Sequence, residues 1–213
     1  MCRLLLVKSH LPFSISDYLK PFAHISQHSR EYQGHGWGCA FMNHGKWSVY
    51  RDIKPVWEDD PGQVGHTTTL LAHARSAFRD EGITVENNMP FQRDDVVYIF
   101  NGELHGVRIR EQGRIGAEKI FNYILRFYKN DLPAALKKGT DIIEKRSAYI
   151  RAMNIIIADY RQICLASLFN QEADYFTMHE KRTGDRLVVC SDPFAGESGW
   201  QPVANRTRKE LTL

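Results

Sequence analysis

Two helix patterns set between two groups of strand patterns constrain the fold of this chain most. Between Gly116 and about Tyr128, apolar residues recur at three- and four-residue spacing, which indicates an amphipathic helix. A second helix is predicted from about Pro133 to Lys145, because proline is well placed in the first turn of a helix. Helices inserted between sets of antiparallel strands predict an α+β layered domain rather than a parallel doubly wound sheet.

The chain before these helices carries mostly strand patterns. Leu4 to Val7 is a continuous apolar run, typical of a strand buried on both faces. Residues 36–52 form two alternating runs around Asn43 to Gly45, residues that tolerate the positive φ of tight turns, and therefore predict a hairpin. Between these two segments, Ser16 is predicted to cap a helix that Pro21 interrupts or delays.

Two further predicted strands end in polar residues that are able to line a site. One covers residues 67–77 and is predicted to end near Arg75, and the other covers residues 94–104 and is predicted to end near Asn101. Strand patterns return after the helices in four segments: NIIIADY at 154–160, QICLASLF at 162–169, ADYFTMHEK at 173–181 and DRLVVCSDP at 185–193.

The composition fits one globular domain, which we expect to span residues 2–213. The 213-residue chain is 43% hydrophobic, an ordinary content for a buried core. The apolar run at Leu4 to Val7 is too short for a signal peptide, and no later segment approaches the roughly 18 apolar residues of a membrane span. We therefore expect a cytoplasmic protein that does not contact membranes.

Neither the cysteines nor the histidines form a metal-binding motif. Cys2, Cys39, Cys164 and Cys190 contain no C-x-x-C pair, so reduced thiols are expected rather than a zinc or redox site. The nine histidines lack any spacing comparable to H-E-x-x-H, and no metal or cofactor is assigned. The one concentrated basic stretch, from Arg206 to Lys209, predicts a solvated tail rather than a nucleic-acid site.

Cys2 is the first residue that suggests chemistry. Cysteine is small enough for methionine aminopeptidase to remove Met1 ahead of it, which leaves a thiol and a free α-amine on one residue. A free α-amine has a pKa of about 7.7–8.0, so part of it is neutral at physiological pH and can accept the thiol proton. The alternative is that Cys2 is a small apolar residue at the start of a buried strand.

Three more residues suggest amide chemistry. An amide-cleaving nucleophile creates a tetrahedral oxyanion, to which Asn101 can donate a side-chain N–H and Gly102 a backbone N–H. The same Asn-Gly pair is also the commonest short hairpin signal. Arg75 can bind a substrate carboxylate through two N–H bonds, or form an ordinary surface ion pair.

Taken together, six ordered motifs resemble the class II glutamine amidotransferase family over most of the chain. The motifs are Cys2, GHGWGCA at 34–40, AHARSA at 72–77, NNMPF at 87–91, NGEL at 101–104 and VVCSDP at 188–193. The resemblance implies an N-terminal nucleophile hydrolase, a four-layer αββα sandwich of two antiparallel sheets between helical layers. It also implies that a glutamine or γ-glutamyl side-chain amide is cleaved through a thioester.

The resemblance also assigns roles to individual residues. Cys2 is the nucleophile with its α-amine as base, Arg75 binds the substrate carboxylate, and Asn101 and Gly102 form the oxyanion hole. Trp37 and Gly38 lie in the loop that the family places beside its substrate cleft.

Four positions depart from the family pattern, and each replaces a polar side chain by an apolar one or by none: Phe78, Met89, Phe100 and Gly116. The family has an aspartate at the last of these positions, where it holds the α-amine of glutamine. Glu103 or Glu118 can substitute for it, or the substrate carries a modified amine. We therefore hypothesise a γ-glutamyl amide or related side-chain amide, rather than free glutamine, as the substrate.

Two functional interpretations follow. In the first, the chain is a stand-alone amidohydrolase, because no synthetase or isomerase domain follows the VVCSDP motif; a partner enzyme is then a possible acceptor of the ammonia, and a homo-oligomer is possible. In the second, the chain is a catalytically degenerate binding or regulatory module that uses the same cleft. Retention of Cys2, Arg75, Asn101 and Gly102 favours the first, because a pure binding module does not need a nucleophile.

Overall fold

The computed structural model describes residues 1–59 and 65–213, which fall into two compact units. Unit 1 contains Met1–Pro90, Met178–Val203 and Leu213. Unit 2 contains Phe91–Thr177 and Ala204–Thr212. A single domain over residues 2–213 stays a prediction.

Unit 1 is built on an antiparallel sheet of seven strands among the described residues, in the order β11-β9-β10-β1-β4-β2-β3. Its strands are β1 (Arg3–Ser14), β2 (Trp37–Asn43), β3 (Lys46–Asp52), β4 (His66–Ala74), β9 (His179–Thr183), β10 (Arg186–Cys190) and β11 (Gln201–Pro202).

Strand β1 lies near the middle of this sheet, between β10 and β4. Leu4 to Val7 are fully buried, as the continuous apolar run predicts. Leu5 pairs with Cys190 of β10 on one side and with Ala72 of β4 on the other. Full burial of an aliphatic side chain contributes about 1.5–3 kcal/mol, so β1 is anchored firmly and its N-terminal end is held in a fixed position.

The hairpin and the first helix follow the sequence pattern, with two corrections to the helix. Strands β2 and β3 are joined by His44 and Gly45, which have φ values of 47° and 77°, as a two-residue turn requires. Helix α1 (Ser16–Gln27) runs through Pro21 without interruption, contrary to the prediction, and Ser16 is its first residue rather than its cap. Burial of the apolar face of α1 against β1 outweighs the one hydrogen bond that proline cannot donate.

Unit 2 contains a five-stranded antiparallel sheet, in the order β12-β8-β7-β6-β5, and three helices in the described part of the chain. The strands are β5 (Phe91–Arg93), β6 (Val96–His105), β7 (Tyr149–Ala158), β8 (Ile163–Phe169) and β12 (Thr207–Glu210), and the helices are α2 (Gly116–Leu125), α3 (Leu132–Arg146) and α4 (Ala173–Phe176).

The two predicted helices are confirmed as α2 and α3. Helix α2 buries Ile120, Phe121 and Ile124 on one face. Helix α3 begins where Asp131 Oδ1 accepts a hydrogen bond from the Ala134 N–H at 3.0 Å, which satisfies one of the free donors of the first turn. Both antiparallel sheets and the α+β class are therefore as the sequence predicts.

Three local predictions are wrong. Strand β6 continues through Asn101 to His105, so the Asn-Gly pair lies inside a strand rather than in a turn. Ala173–Phe176 is a short helix rather than a strand, because Tyr175 and Phe176 are both buried and both donate N–H bonds to the Glu172 carbonyl. The basic C-terminal stretch is strand β12 rather than a solvated tail.

The side chains of this basic stretch make specific contacts within unit 2. Arg208 donates hydrogen bonds to Thr140 Oγ1 at 2.8 Å and to Glu144 Oε2 at 2.7 Å on α3. The guanidinium of Arg208 therefore attaches β12 to α3. In the described parts of the chain, no helix is long and apolar enough to cross a membrane.

Candidate active site

The predicted nucleophile lies directly before β1 in unit 1. Cys2 is partly buried, and its Sγ donates to the Ser76 carbonyl at 3.6 Å and accepts from the Ser76 N–H at 3.5 Å. Burial raises the pKa of the Cys2 thiol, while the N-terminal ammonium, the Ser76 N–H and Arg75 act in the opposite direction. Because burial dominates, the sulfur is mainly a thiol at neutral pH and needs a base to become a nucleophile.

The VVCSDP motif holds the chain immediately after Cys2. Ser191 exchanges two hydrogen bonds with Leu4: its Oγ accepts from the Leu4 N–H at 2.8 Å, and its N–H donates to the Leu4 carbonyl at 3.0 Å. Arg3 lies 3.7 Å from the Asp192 carboxylate and donates to Ser29 Oγ at 3.2 Å. The position of Cys2 is therefore fixed by both backbone and side-chain contacts.

Met1 contacts two neighbouring side chains in this structure. Its ammonium group forms an ion pair with Glu31, and its carbonyl accepts a hydrogen bond from Gln33 Nε2 at 2.6 Å. The nitrogen of Cys2 is then part of a peptide bond. A free α-amine on Cys2 exists only after Met1 has been removed.

Arg75 follows the end of β4 and has a buried guanidinium, only 5% exposed as a residue. Its backbone N–H donates to the Gly36 carbonyl at 2.9 Å, and its carbonyl accepts from the His35 N–H at 3.1 Å. Its Nη1 donates to Asn88 Oδ1 at 3.2 Å. Burial lowers the pKa of Arg75, and no carboxylate among the described residues forms an ion pair with it. Unit 1 thus presents a buried cation beside the Cys2 sulfur, joined to it through Ser76.

Two of the predicted substrate-binding residues support this site from within the core. Trp37 is fully buried, its indole Nε1 donates to Asp59 Oδ2 at 2.9 Å, and its ring packs against Tyr50 with centroids 5.3 Å apart. A Cβ on Gly38 would lie 2.6 Å from the Met89 carbonyl oxygen, so glycine is required for close backbone packing there. The Trp37 side chain points into the core rather than to solvent.

His35 and Asn88 organise the segment around Arg75, and sequence reasoning gave neither of them this role. His35 Nδ1 accepts from the Ala77 N–H at 2.9 Å, and its Nε2 lies 3.5 Å from Asp80 Oδ1. Burial lowers the pKa of His35, although Asp80 acts in the opposite direction. Asn88 contacts Arg75 across 13 residues, a separation that no local sequence pattern reports.

In unit 2, Asn101 lies in β6 with its side chain fully buried. Neither its Nδ2 nor its Oδ1 has a hydrogen-bond partner among the described residues. An unpaired buried amide costs about 1–3 kcal/mol, which natural cores rarely tolerate without a reason. A Cβ on the following Gly102 would lie 2.3 Å from the Ala152 carbonyl oxygen, so that position accepts only glycine.

The two glutamates considered as partners for a substrate ammonium are already paired within unit 2. Glu103 contacts His105 Nε2 at 2.7 Å and Arg151 Nη1 at 3.1 Å; burial opposes its ionisation, but these hydrogen bonds outweigh it and lower its pKa. Glu118 accepts three hydrogen bonds from Arg114 and one from Arg93, which hold the pKa of Glu118 at about 2.

The four departures from the family pattern differ in their surroundings. Phe78 is 58% exposed, whereas Met89 and Phe100 are buried within their own units. A Cβ on Gly116 would meet no atom within 4 Å, so this position opens onto free space.

Comparison with solved structures identifies the fold. The chain is similar to a glutamine aminotransferase class-II domain protein from Silicibacter pomeroyi, with a TM-score of 0.67 and 14% identity over 99% of this chain and 98% of that one. It is also similar to a predicted glutamine amidotransferase from Pseudomonas aeruginosa, with a TM-score of 0.61 and 14% identity over 98% and 96% of the two chains.

A larger enzyme shares the same architecture. Glutamine phosphoribosylpyrophosphate amidotransferase from B. subtilis matches with a TM-score of 0.66 and 15% identity over 89% of this chain, which spans 42% of that enzyme. No family model and no curated protein matches the sequence. The structural matches and the two antiparallel sheets lead to one conclusion: this chain has the N-terminal nucleophile hydrolase fold of class II glutamine amidotransferase domains.

Proposed function

We propose that this protein is an amidohydrolase that cleaves a γ-glutamyl or related side-chain amide with Cys2 as its nucleophile. The observation that carries the proposal is the arrangement at the start of β1 in unit 1. There the Cys2 sulfur forms hydrogen bonds with the backbone of Ser76, which follows Arg75 in the chain. The guanidinium of Arg75 is buried, and no described carboxylate compensates its charge. A nucleophile next to a buried cation that no described carboxylate neutralises suits a substrate that carries both an amide and a carboxylate.

The chemistry requires Met1 to be absent, because the α-amine of Cys2 then accepts the thiol proton. The thiolate attacks the amide carbon and forms a tetrahedral oxyanion. Collapse of this intermediate expels ammonia or an amine, which takes up the proton from the α-ammonium, and leaves a thioester. Water then adds to the thioester, the C–S bond breaks, and the acid product and the Cys2 thiol are released.

We assign stabilisation of the oxyanion to Asn101 and Gly102. The Asn101 amide is fully buried and has no described hydrogen-bond partner, so its N–H group is available for a transient negative charge. Gly102 is proposed to donate its backbone N–H as the second group, as the family pattern implies, and its lack of a Cβ leaves room for the Ala152 carbonyl of the neighbouring strand. Trp37 and Gly38 contribute indirectly, by supporting the segment that precedes Arg75 in the sheet.

The substrate class follows from the charges that are already paired. A substrate ammonium needs a free carboxylate, but Glu118 and Glu103 are each bound by arginine, and Gly116 replaces the aspartate of the family pattern. We therefore propose a carboxylate-bearing amide whose amine is absent or modified, in preference to free glutamine. The released ammonia or amine diffuses away in the cytoplasm or passes to an acceptor enzyme.

A second candidate function is a non-catalytic module that binds such an amide. The raised pKa of the buried Cys2 thiol favours it, because a thiol that stays protonated is not a nucleophile. The two functions differ in one respect: only the hydrolase consumes its ligand.

The test is turnover by the wild type, Cys2→Ala and Cys164→Ala. Cys164 is a buried cysteine in β8, with its pKa raised to about 12, and serves as the matched control. Ammonia release from glutaramate (the monoamide of glutaric acid) and p-nitroaniline release from glutaryl p-nitroanilide are measured. We expect Cys2→Ala to lose at least about 10³-fold in rate and Cys164→Ala to keep it. A wild type that binds glutaramate but turns over neither compound supports the binding module instead.

A further inference from the structure

We propose that Asn88 is a positioning residue that aims Arg75 and, because it is neutral, leaves the positive charge of Arg75 available for the carboxylate of the substrate. The inference rests on the proposed role of Arg75 as the anion site. It adds a residue that determines specificity and that does not itself touch the substrate.

The contacts of Asn88 fix the orientation of its amide. Asn88 is fully buried; its Oδ1 accepts from Arg75 Nη1 at 3.2 Å, and its Nδ2 donates to the Asp52 carbonyl at 2.7 Å. Turning the amide over would bring N–H groups against the guanidinium and an oxygen against the carbonyl. Both ends of the amide are therefore used, and the acceptor end faces Arg75.

The backbone around Asn88 is shaped to hold it. A Cβ on Gly36 would lie 2.1 Å from Asn88 Nδ2, so the side chain of Asn88 fills the space that this glycine leaves. Gly36 has a φ of +107°, a conformation that side-chain-bearing residues rarely adopt, and its carbonyl accepts the Arg75 N–H at 2.9 Å. One glycine thus contacts both members of the Arg75–Asn88 pair.

The proposal depends on Asn88 being uncharged. A carboxylate at this distance would form an ion pair and compensate the buried guanidinium, so an incoming anion would gain little. An amide satisfies one N–H of Arg75 and leaves the net charge in place. Glu118 shows the alternative in unit 2, where a carboxylate bound by Arg93 and Arg114 forms a closed, structural ion-pair cluster.

The experiment measures ligand affinity in a Cys2→Ala background, which removes turnover from the readout. Two probes of equal size are titrated by calorimetry: glutaramate, which carries one carboxylate and one amide, and glutaramide, which carries two amides. The ratio of their dissociation constants reports how strongly the site prefers a carboxylate. A general loss of structure weakens both probes and leaves this ratio unchanged.

We expect Asn88→Asp to weaken the binding of glutaramate at least tenfold and the binding of glutaramide less than twofold. Asn43→Asp is the matched control, because it makes the same change at the exposed end of β2, six residues from Trp37, which pairs with Ala74 beside Arg75. Asn88→Ala is the second variant. It removes the hydrogen bond that orients Arg75, so the affinity for glutaramate alone should fall, about fivefold.

The inference is overturned if Asn88→Asp changes the ratio no more than Asn43→Asp does, or if Asn88→Ala weakens the binding of both probes equally. A Cys2→Ala parent that binds neither probe contradicts the proposed function itself and removes the basis of the inference. Binding of glutaramate by the parent with an unchanged ratio in both Asn88 variants keeps the proposed function and contradicts only the role of Asn88.

Discussion

Asn101 and Asn154 are paired across β6 and β7 and are both fully buried, yet their side chains differ in hydrogen bonding. Asn154 Nδ2 donates to the Phe176 carbonyl at 2.8 Å, and its Oδ1 accepts from Ser167 Oγ at 2.8 Å. The Asn101 amide has no described partner. One asparagine therefore stabilises the sheet, and the other retains unused hydrogen-bonding capacity at a cost in stability.

The charged residues show the same contrast. Glu118 in unit 2 is almost fully buried and is surrounded by hydrogen bonds from Arg93 and Arg114. Arg75 in unit 1 is equally buried but has only the neutral Asn88 as a side-chain partner in the described residues. In both comparisons the fully paired group maintains the fold, and the group with unused hydrogen-bonding capacity or charge is the one to which we assign the chemistry.

The largest effect is expected when Asn101 is compared directly with Asn154. Asn101→Ala should lower kcat by about 10²–10³-fold, as removal of an oxyanion donor does, without lowering the thermal midpoint. Asn154→Ala should keep kcat and lose about 2 kcal/mol of stability, because it leaves Ser167 and the Phe176 carbonyl unpaired. Steady-state kinetics and thermal unfolding of both variants test this; equal behaviour of the two would remove the distinction.

The next effect concerns the open cation. Arg75→Gln should lower kcat/KM for glutaramate by about 10²-fold, mainly through KM, because the lost interaction binds the substrate carboxylate in ground and transition states alike. Arg79→Gln, on the exposed neighbouring turn, is the control and should leave both constants unchanged. A variant at position 75 with an unchanged KM for glutaramate would show that the carboxylate binds elsewhere.

The paired carboxylate should affect stability instead of activity. Glu118→Gln should lower the free energy of unfolding by about 2 kcal/mol at pH 7, less than for a fully buried pair because solvent screens the half-exposed arginines. Denaturant unfolding measures this loss, while kcat/KM should be unchanged. A fall in kcat/KM without loss of stability would place Glu118 in the site.

The pH dependence of this pair has a defined sign. The folded pKa of Glu118, about 2, lies below its ordinary value of 4.5, so its ionised form stabilises the folded chain above about pH 4.5. That contribution falls as the pH drops from about 4.5 towards 2. The difference in stability between wild type and Glu118→Gln should shrink over the same interval, and a difference that stays constant would assign it to packing.

The smallest effect is expected at Gly116, the first residue of α2. Gly116→Asp fits open space and places a negative charge at a helix N-terminus, so stability should rise by about 0.5 kcal/mol. If the aspartate at this position binds the substrate amine in the family, the variant should also raise kcat/KM for glutamine relative to that for glutaramate several-fold. Thermal unfolding and competitive kinetics measure the two effects, and an unchanged preference would contradict the explanation of the Gly116 departure.

Local patterns predicted the elements well, and they failed where distant contacts decide. The buried run of β1, the His44-Gly45 turn and the apolar face of α2 each follow from neighbouring residues. Pro21 predicts an interrupted helix, but packing against β1 stabilises a continuous one. Residues 173–176 predict a strand, but burial of two adjacent aromatic rings favours a helical turn.

The site shows the same limit of sequence reasoning. The motifs pointed to Cys2 and Arg75 as separate residues, and the structure joins them through Ser76. No pattern indicated that Asn88 bonds to Arg75 or that Glu118 is already neutralised, because both depend on side chains brought together by folding.

The central claim is that Cys2 is an N-terminal nucleophile beside an anion site. The most direct measurement is intact mass with peptide mapping, before and after exposure to 6-diazo-5-oxohexanoate, a diazo-ketone that carries a carboxylate at its other end. We expect a chain without Met1 that gains one adduct at Cys2, and no adduct in Cys2→Ala or in the presence of excess glutaramate. A chain that retains Met1, or one that is unlabelled or labelled at another cysteine, would contradict it.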